Sequence, residues 1–413
     1  MSFDIALSGI QAINEALDQT SHNIANAGTY GYKSSRANFS ALVAGDHPTG
    51  TAIGSVSQNI GLSGGVLNTG RALDASINGR GFFITKTASN EMQYTRVGIF
   101  DTSDTGYLID ASGRRVQGFG ITPPSTVLGA QGDILIPKGQ IPAVASTKMA
   151  YVGNMSADWV KPTVTPFQGV GNVPVTPATP PDPLSYNMSQ TSVVYDTLGA
   201  QHTLTQYFSA TGTAGDVAVN YVLDGTDTTV TTTLSFNPAN GQMTTPASPG
   251  IFAVTLTTPV TATGATLNPI NIDYTGTTLF AGKATTTVNN IDGYASGVFS
   301  NVELGKDGSV IAKYSNGQSQ TVAMVALATF ADEGALTAVN DTSWEASIGS
   351  GVALSTTPGS GMAGTLNTSS LEQSNVDITS ELVGLMTSQR NYQANSKVIQ
   401  TESTMMQSLM QAI

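Results

Sequence analysis

Residues 378-ITSELVGLMTSQRNYQANSKVIQTESTMMQSLMQAI-413 decide how this chain is organised. Ile378, Leu382, Leu385, Gln389, Tyr392, Ser396, Ile399, Ser403, Met406, Met410 and Ile413 step by four and three, the spacing of a helical packing seam. Asp377 stands in the N-cap place, and Glu381 sets a negative charge in the first turn, where the helix dipole favours it. The other end of the chain repeats the signal. Phe3, Leu7, Ile10, Asn14, Leu17, Ser21 and Ile24 alternate by four and three, with Ala6, Ile13 and Ala16 widening the stripe. Asn26, Gly28 and Gly31 then supply residues that tolerate positive φ and stop the helix. Polar seam positions make each helix marginal alone. Either one could pack on a globular core. Two that meet make a thin stalk, which hides its apolar stripe only against copies of itself.

Working inward, the chain goes out and comes back. Residues 1–28 with 376–413 are expected to form the helical stalk, and 29–72 with 356–375 a Gly- and Ser-rich extended connector. Gly45-Asp46-His47-Pro48 punctuates that connector, and Val56, Ile60, Leu62 and Val66 are its apolar part. From Leu73 the period becomes two: Phe82 with Ile84, then Tyr107 with Ile109, followed by a turn at Asp110-Ala111-Ser112-Gly113. A second strand-rich stretch carries turns at Asp307-Gly308 and Asn316-Gly317, with a nearly continuous apolar run over 322–329. These halves, 73–148 and 289–355, read as one discontinuous β domain. Residues 149–288 open on a Pro-rich stretch (162–183) and continue as alternating strands around Leu204, Phe208, Val219, Tyr221, Leu234 and Phe236. The expected fold is therefore multidomain and mainly β, with terminal α-helices pairing as a coiled-coil stalk, a discontinuous β domain, and an inserted outer β domain.

Composition narrows the function. Charged residues are 11% of 413, with a net charge of −12 and only 16 Lys and Arg; an ordinary soluble chain has about 25% charged residues. Nucleic acid is excluded as a partner, because phosphate binding rests on basic residues. Weak mutual repulsion permits identical surfaces to pack. There is no Cys, so disulfides and thiolate metal sites are out. No run approaches about 18 uninterrupted apolar residues, so no membrane insertion is expected. Ala25-Asn26-Ala27 imitates a signal-cleavage site but lacks a basic n-region and an apolar h-region.

Reactive groups are scarce. His22, His47 and His202 are read as surface or packing histidines, none at metal-ligand spacing from another or from clustered carboxylates. Asp101 with Asp104, and Asp332 with Glu333, sit in turn sequences that bond nearby amides. Gly79-Arg80-Gly81 leads into Phe82 rather than a phosphate-cradling helix start. Trp159 and Trp344 are expected to pack into cores, with an exposed contact beside the Pro-rich run as the alternative for Trp159. No catalytic residue, cofactor site or metal site is expected, and the chain is read as not an enzyme.

Two motifs identify the stalk. His22-Asn23-Ile24-Ala25-Asn26-Ala27-Gly28-Thr29-Tyr30-Gly31-Tyr32-Lys33 resembles the N-terminal signature of the flagellar rod and hook axial proteins, Asn-Asn-Ile-Ala-Asn leading to Thr-x-Gly-Phe-Lys. His22 and Tyr32 depart from it mildly. Asn375-Val376-Asp377, Glu381-Leu382-Val383 and Gln389-Arg390-Asn391-Tyr392-Gln393-Ala394-Asn395 are similar to the family's C-terminal signature. Asn68-Thr69-Gly70-Arg71-Ala72-Leu73-Asp74 looks like its connector. The length and insert are those of the hook-type members rather than the shorter rod proteins. The resemblance implies an extracellular homopolymer, exported by the flagellar type III apparatus without signal cleavage. Implied partners are rod proteins, the hook cap and the hook–filament junction proteins. A distal-rod-like axial protein, or a surface adhesin with an inserted β domain, stays open as an alternative.

Overall fold

The computed structural model describes residues 2–44, 47–123, 125–165, 167, 181–247, 249–255 and 264–412. A helix, α1 (Ser2–Ala25), opens the chain and a longer one, α2 (Ile378–Ala412), closes it, and the two pack together. Among the described residues between them, the regular structure is strand, apart from two short 3₁₀ turns. The chain divides into two compact units. The first comprises Met1–Lys138, Ser300–Lys313 and Ser319–Ile413; the second comprises Gly139–Phe299 and Tyr314–Gln318. The insertion is thus wider than the 149–288 read from the sequence.

In the first unit, β1 (Ser35–Ala44) and β2 (His47–Gln58) form an antiparallel hairpin lying against α1. The irregular connector expected over 29–72 is corrected here. Ala37, Phe39, Ala41 and Val43 do alternate, but the small residues and Gly50 and Gly54 of the second strand look like a loop. Two register shifts blur the period further. The turn at Gly45-Asp46 lies outside the described residues. Of the connector's apolar residues only Ile60 is buried, while Val56, Leu62 and Val66 are exposed.

The outgoing and returning passes of the chain meet in two short pairings. β3 (Val66–Asn68) pairs with Ser370–Glu372, and β4 (Ala75–Asn78) with Thr365–Thr368. The β domain is discontinuous as expected. Strand Ser319–Val325 pairs with Arg115–Gly120, Leu327–Thr329 with Phe82–Lys86, and Ser343–Glu345 with Met92–Thr95. Residues 325–330 are all buried, which is why that run reads as continuously apolar. Phe82, Ile84, Tyr94, Phe330 and Trp344 form the core, with Tyr94 and Phe330 edge to face at 4.8 Å. One expected alternation is displaced by a residue: Leu108 is buried, whereas Tyr107 and Ile109 are half-buried. Tyr107 instead lies under the Arg115 guanidinium, 4.2 Å from the ring centre.

Among the described residues, the core of the second unit is built from two sheets. One is an antiparallel meander of Met188–Tyr195, Gln201–Ala210, Asp216–Leu223, Thr226–Phe236 and Met243–Thr245. The other is centred on Lys148–Ser156, which pairs in parallel with Ile270–Asp273 and Thr278–Phe280. Phe208, Val219, Tyr221 and Leu234 from the meander share a core with Met149, Tyr151, Ile272 and Tyr274; Trp159 packs on its edge. Tyr274 donates to Gln206 Oε1 at 2.5 Å, and the Tyr221 and Tyr274 hydroxyls are 2.9 Å apart. Burial pushes Tyr221 up to about 12 and Tyr274 well above the usual tyrosine range, so both stay neutral donors. The Pro-rich stretch falls outside the described residues over 168–180.

Candidate functional site

The terminal helices and the junction that launches them carry the sequence motifs. α2 begins where the sequence places it. Asp377 Oδ1 accepts the Thr379 N–H at 2.9 Å, and Oδ2 accepts the Ser380 hydroxyl at 3.0 Å. Those bonds, Ser380's foremost, hold the Asp377 carboxyl below its usual range. α1 ends at Asn26, whose side chain donates to His22 O at 2.9 Å and accepts from the Thr29 hydroxyl at 3.2 Å.

Asn23 joins both helices to the hairpin. Its Nδ2 donates to Ser35 O and to Glu381 Oε1, both at 2.8 Å. Its Oδ1 accepts the Ser35 N–H at 2.9 Å and the Tyr32 hydroxyl at 3.2 Å. All four hydrogen-bonding positions of a buried amide are used, and no other side chain of that size offers two donors and two lone pairs.

Gly31 sits at φ +68°, in the left-handed region, and its N–H donates to Glu372 O at 2.8 Å. A Cβ there would lie 3.0 Å from Val97 Cγ2. Lys33 is fully buried, donating to Leu62 O and to Glu372 Oε1, each at 2.7 Å. Glu372 Oε1 also accepts the Gly64 N–H at 3.0 Å. Arg96 Nη1 approaches Glu372 Oε2 at 3.5 Å, a contact of charges without a hydrogen bond. Burial lowers the pKa of both cations, and the Glu372 charge opposes it. Asn375 completes the junction, accepting the Ser34 N–H at 2.7 Å and donating to Asn59 O and Leu62 O.

Other motif residues stay outside this network. Ile24 and Val376 are half-buried, Ala25 is exposed, and Gln389 and Arg390 lie on the open face of α2. The sequence reading missed Glu372, Arg96 and Gly64. No local pattern marks them: Glu372 stands in the polar run Thr368-Ser369-Ser370-Leu371-Glu372-Gln373-Ser374.

The packing row of α1 is Ala6, Gly9, Ala12 and Ile13, all buried. A Cβ on Gly9 would come within 2.7 Å of Asn395 Nδ2, so the glycine leaves room for that amide. The expected seam lies beside this row. Phe3 and Leu7 are exposed, and Ile10, Leu17 and Ile24 half-buried. On α2, Leu385 and Ile399 are half-buried, whereas Ile378, Leu382, Tyr392, Met406 and Met410 are exposed. Ile413 lies outside the described residues.

No group of three or more His, Cys, Asp or Glu able to hold a metal occurs among the described residues. One histidine departs from expectation. His202 Nδ1 lies 2.6 Å from Asp224 Oδ2, and Nε2 lies 3.5 Å from Asp196 Oδ2. Sequence distance hid this: antiparallel pairing of 201–210 with 216–223 returns Asp224 to its side.

Three family models match the chain. They are the flagellar hook protein FlgE/F/G D1 domain over 76–155, the flagellar basal body protein FlaE D2 domain over 166–294, and the flagellar basal body rod FlgEFG protein C-terminal over 367–412. The flagellar hook protein FlgE of Salmonella typhimurium is 34% identical over 421 residues, covering 99% of each chain. That of Escherichia coli is 33% identical with the same coverage, and that of Treponema pallidum 29% identical over 98% of this chain and 97% of its own. The crystal structure of Helicobacter pylori flagellar hook protein FlgE2 superposes with a TM-score of 0.50 at 12% identity, covering 74% of this chain and all of that one. At such identity the likeness is one of fold.

Proposed function

The chain belongs to the flagellar hook protein family, a structural subunit of the flagellum, and on that premise we propose how its two ends drive assembly. The hook is a flexible, torque-transmitting polymer of such subunits. The observation that carries the mechanism is the stripe of α2 left open after α1 has packed. Ile378, Leu382, Met406 and Met410 are 50%, 46%, 59% and 70% exposed. An apolar stripe of that length on a paired helix is buried by copies of itself. The helices therefore form the inner layer of the tube, and Thr-, Ser- and Gly-rich strand surfaces make the contacts that slide as it bends.

This reading includes rod proteins, hook cap and hook–filament junction proteins as neighbours, and export by the type III apparatus without signal cleavage. It assigns no catalytic role and no cofactor. Among the described residues no helix is long and apolar enough to cross a membrane.

The test is Leu382→Asp, with Ile399→Asp beside it. Purified variant should fail to form tubes in negative-stain images under conditions where the unsubstituted chain forms them, while its β-sheet circular dichroism is unchanged. Normal tubes from Leu382→Asp would remove the stripe from the interface.

A further inference from the structure

We propose that the methionines closing α2 are a site of reversible oxidation, and that their sulfoxides hold a free subunit out of assembly. The inference rests on the reading of α2 as the helix through which copies join, and concerns the chemistry of its far end.

That end reaches past the neighbouring helix. Asn23 bonds Glu381 at 2.8 Å, and Gly9 faces Asn395. Fourteen residues back along α1 are thus fourteen residues forward along α2, so the helices run antiparallel. On this register Ser2, where α1 begins, falls level with Glu402. Burial follows the same boundary. Glu402 is half-buried, and every residue from 403 to 411 is exposed, whichever way it points.

The overhang is rich in methionine. Of the large apolar side chains in 403–412, all but Leu409 are thioethers: Met405, Met406 and Met410. They are 59%, 59% and 70% exposed, whereas Met149 and Met155 are fully buried in the second unit's core. The three sulfurs belong to residues spread over roughly 7.5 Å of helix, at 1.5 Å per residue. No Lys, Arg, Asp or Glu stands among residues 403–413. The end of α2 therefore keeps its apolar character almost entirely in the aliphatic side chain that mild oxidants turn polar.

The oxidant is a hydroperoxide, with hydrogen peroxide the simplest. The thioether sulfur attacks one peroxide oxygen, and an S–O bond forms as the O–O bond breaks. The departing hydroxide takes the proton of the transferred hydroxyl and leaves as water. Sulfur gives up two electrons and the peroxide accepts them. A polar, chiral sulfoxide then stands where a flexible apolar chain stood. Each sulfoxide on a surface that assembly buries needs a hydrogen-bond partner there, or costs the desolvation of its oxygen. Methionine sulfoxide reductases return the thioether, so the mark is reversible.

The full-length chain would be treated with hydrogen peroxide, quenched with catalase, mapped by peptide mass spectrometry and then polymerised. Added oxygen is expected at Met405, Met406 and Met410 and not at Met149 or Met155. The concentration needed for tubes should rise by about tenfold or more. Reductases for both sulfoxide epimers should then restore the masses and the threshold together. Met405→Leu/Met406→Leu/Met410→Leu keeps the apolar surface and should form tubes at one concentration before and after peroxide. A threshold that rises as far in this variant assigns the effect to the other exposed methionines, Met92, Met362 and Met386, and overturns the site. Should the variant form no tubes even untreated, the reductase arm decides, and a threshold it does not restore overturns the proposal. Oxidised unsubstituted chain that polymerises at its ordinary concentration also overturns it, and leaves the subunit reading intact. If the untreated chain forms no tubes at all, both readings fall.

Discussion

Lys33, Glu372 and Arg96 put two cations and one carboxylate out of solvent at the base of the helices. Desolvating such ions is costly, so the cluster is weak grounds for stability but strong grounds for fragility. Removing one partner leaves a buried charge uncompensated, at a cost of about 3–5 kcal/mol. Glu372→Gln should therefore lower the denaturation midpoint more than Lys33→Met does, because Glu372 faces both cations and accepts the Gly64 amide as well. Urea titrations of the two variants decide the order, and equal losses would show that Arg96 does not need the carboxylate. His202 gives a pH-dependent counterpart. Burial lowers its pKa, but the hydrogen bond and charge of Asp224, then of Asp196, outweigh burial and raise it above the usual value. The folded state therefore binds the proton more tightly than the unfolded chain. Its contribution is complete below about pH 6.5, the unperturbed value, and is lost as pH rises through the folded value. His202→Gln should abolish that fall in stability, read as the urea midpoint from pH 5.5 to 8.5. A slope retained in the variant would assign it to another group.

α1 is held between α2 and the hairpin, and at each face a glycine sets the distance. Gly9 faces Asn395; Gly50 faces Ser8, whose hydroxyl also accepts the Thr51 N–H at 3.2 Å. Valine at position 9 must displace the Asn395 amide, by rotating that side chain or by moving α2, and overpacking that moves α2 costs about 1–3 kcal/mol. Gly9→Val should separate the helices, seen as faster amide exchange along α1, and should abolish tubes. Unchanged exchange would mean that the close approach at Asn395 is not needed. Elements differ in how far the sequence exposes them. The helices were legible because their apolar period is long and their caps are strong, and the turn at Asn316-Gly317 because its backbone demands glycine. The hairpin was not, since Gly50 and Gly54 serve helix contact and bulged pairing while looking like loop punctuation. The junction was legible only in part. Asn23 and Lys33 stand in a motif, but Glu372 and Arg96 reach Lys33 across 339 and 63 positions of chain, with no local pattern to announce it.

Across the whole molecule, the out-and-back path was readable because each half of the β domain supplies strands that cannot pair alone. The limits of the insertion were not, since no change of composition at 139 or 299 marks where one unit gives way to the other. The physical consequence of that division is two cores. Phe82, Tyr94, Phe330 and Trp344 fill one; Tyr151, Phe208, Tyr221 and Tyr274 fill the other. Cooperative unfolding extends as far as a shared core does, so a chain with two cores is expected to unfold in two steps rather than one. Calorimetry of the unpolymerised chain should resolve two transitions. Glu372→Gln, which touches only the first core's unit, should lower one of them and leave the other in place. His202→Gln should change the pH dependence of the other alone. Should both substitutions move a single transition together, the two cores unfold as one and the boundary at 139 and 299 has no energetic meaning. Should they separate, the insertion can vary in sequence without cost to the helices that build the tube.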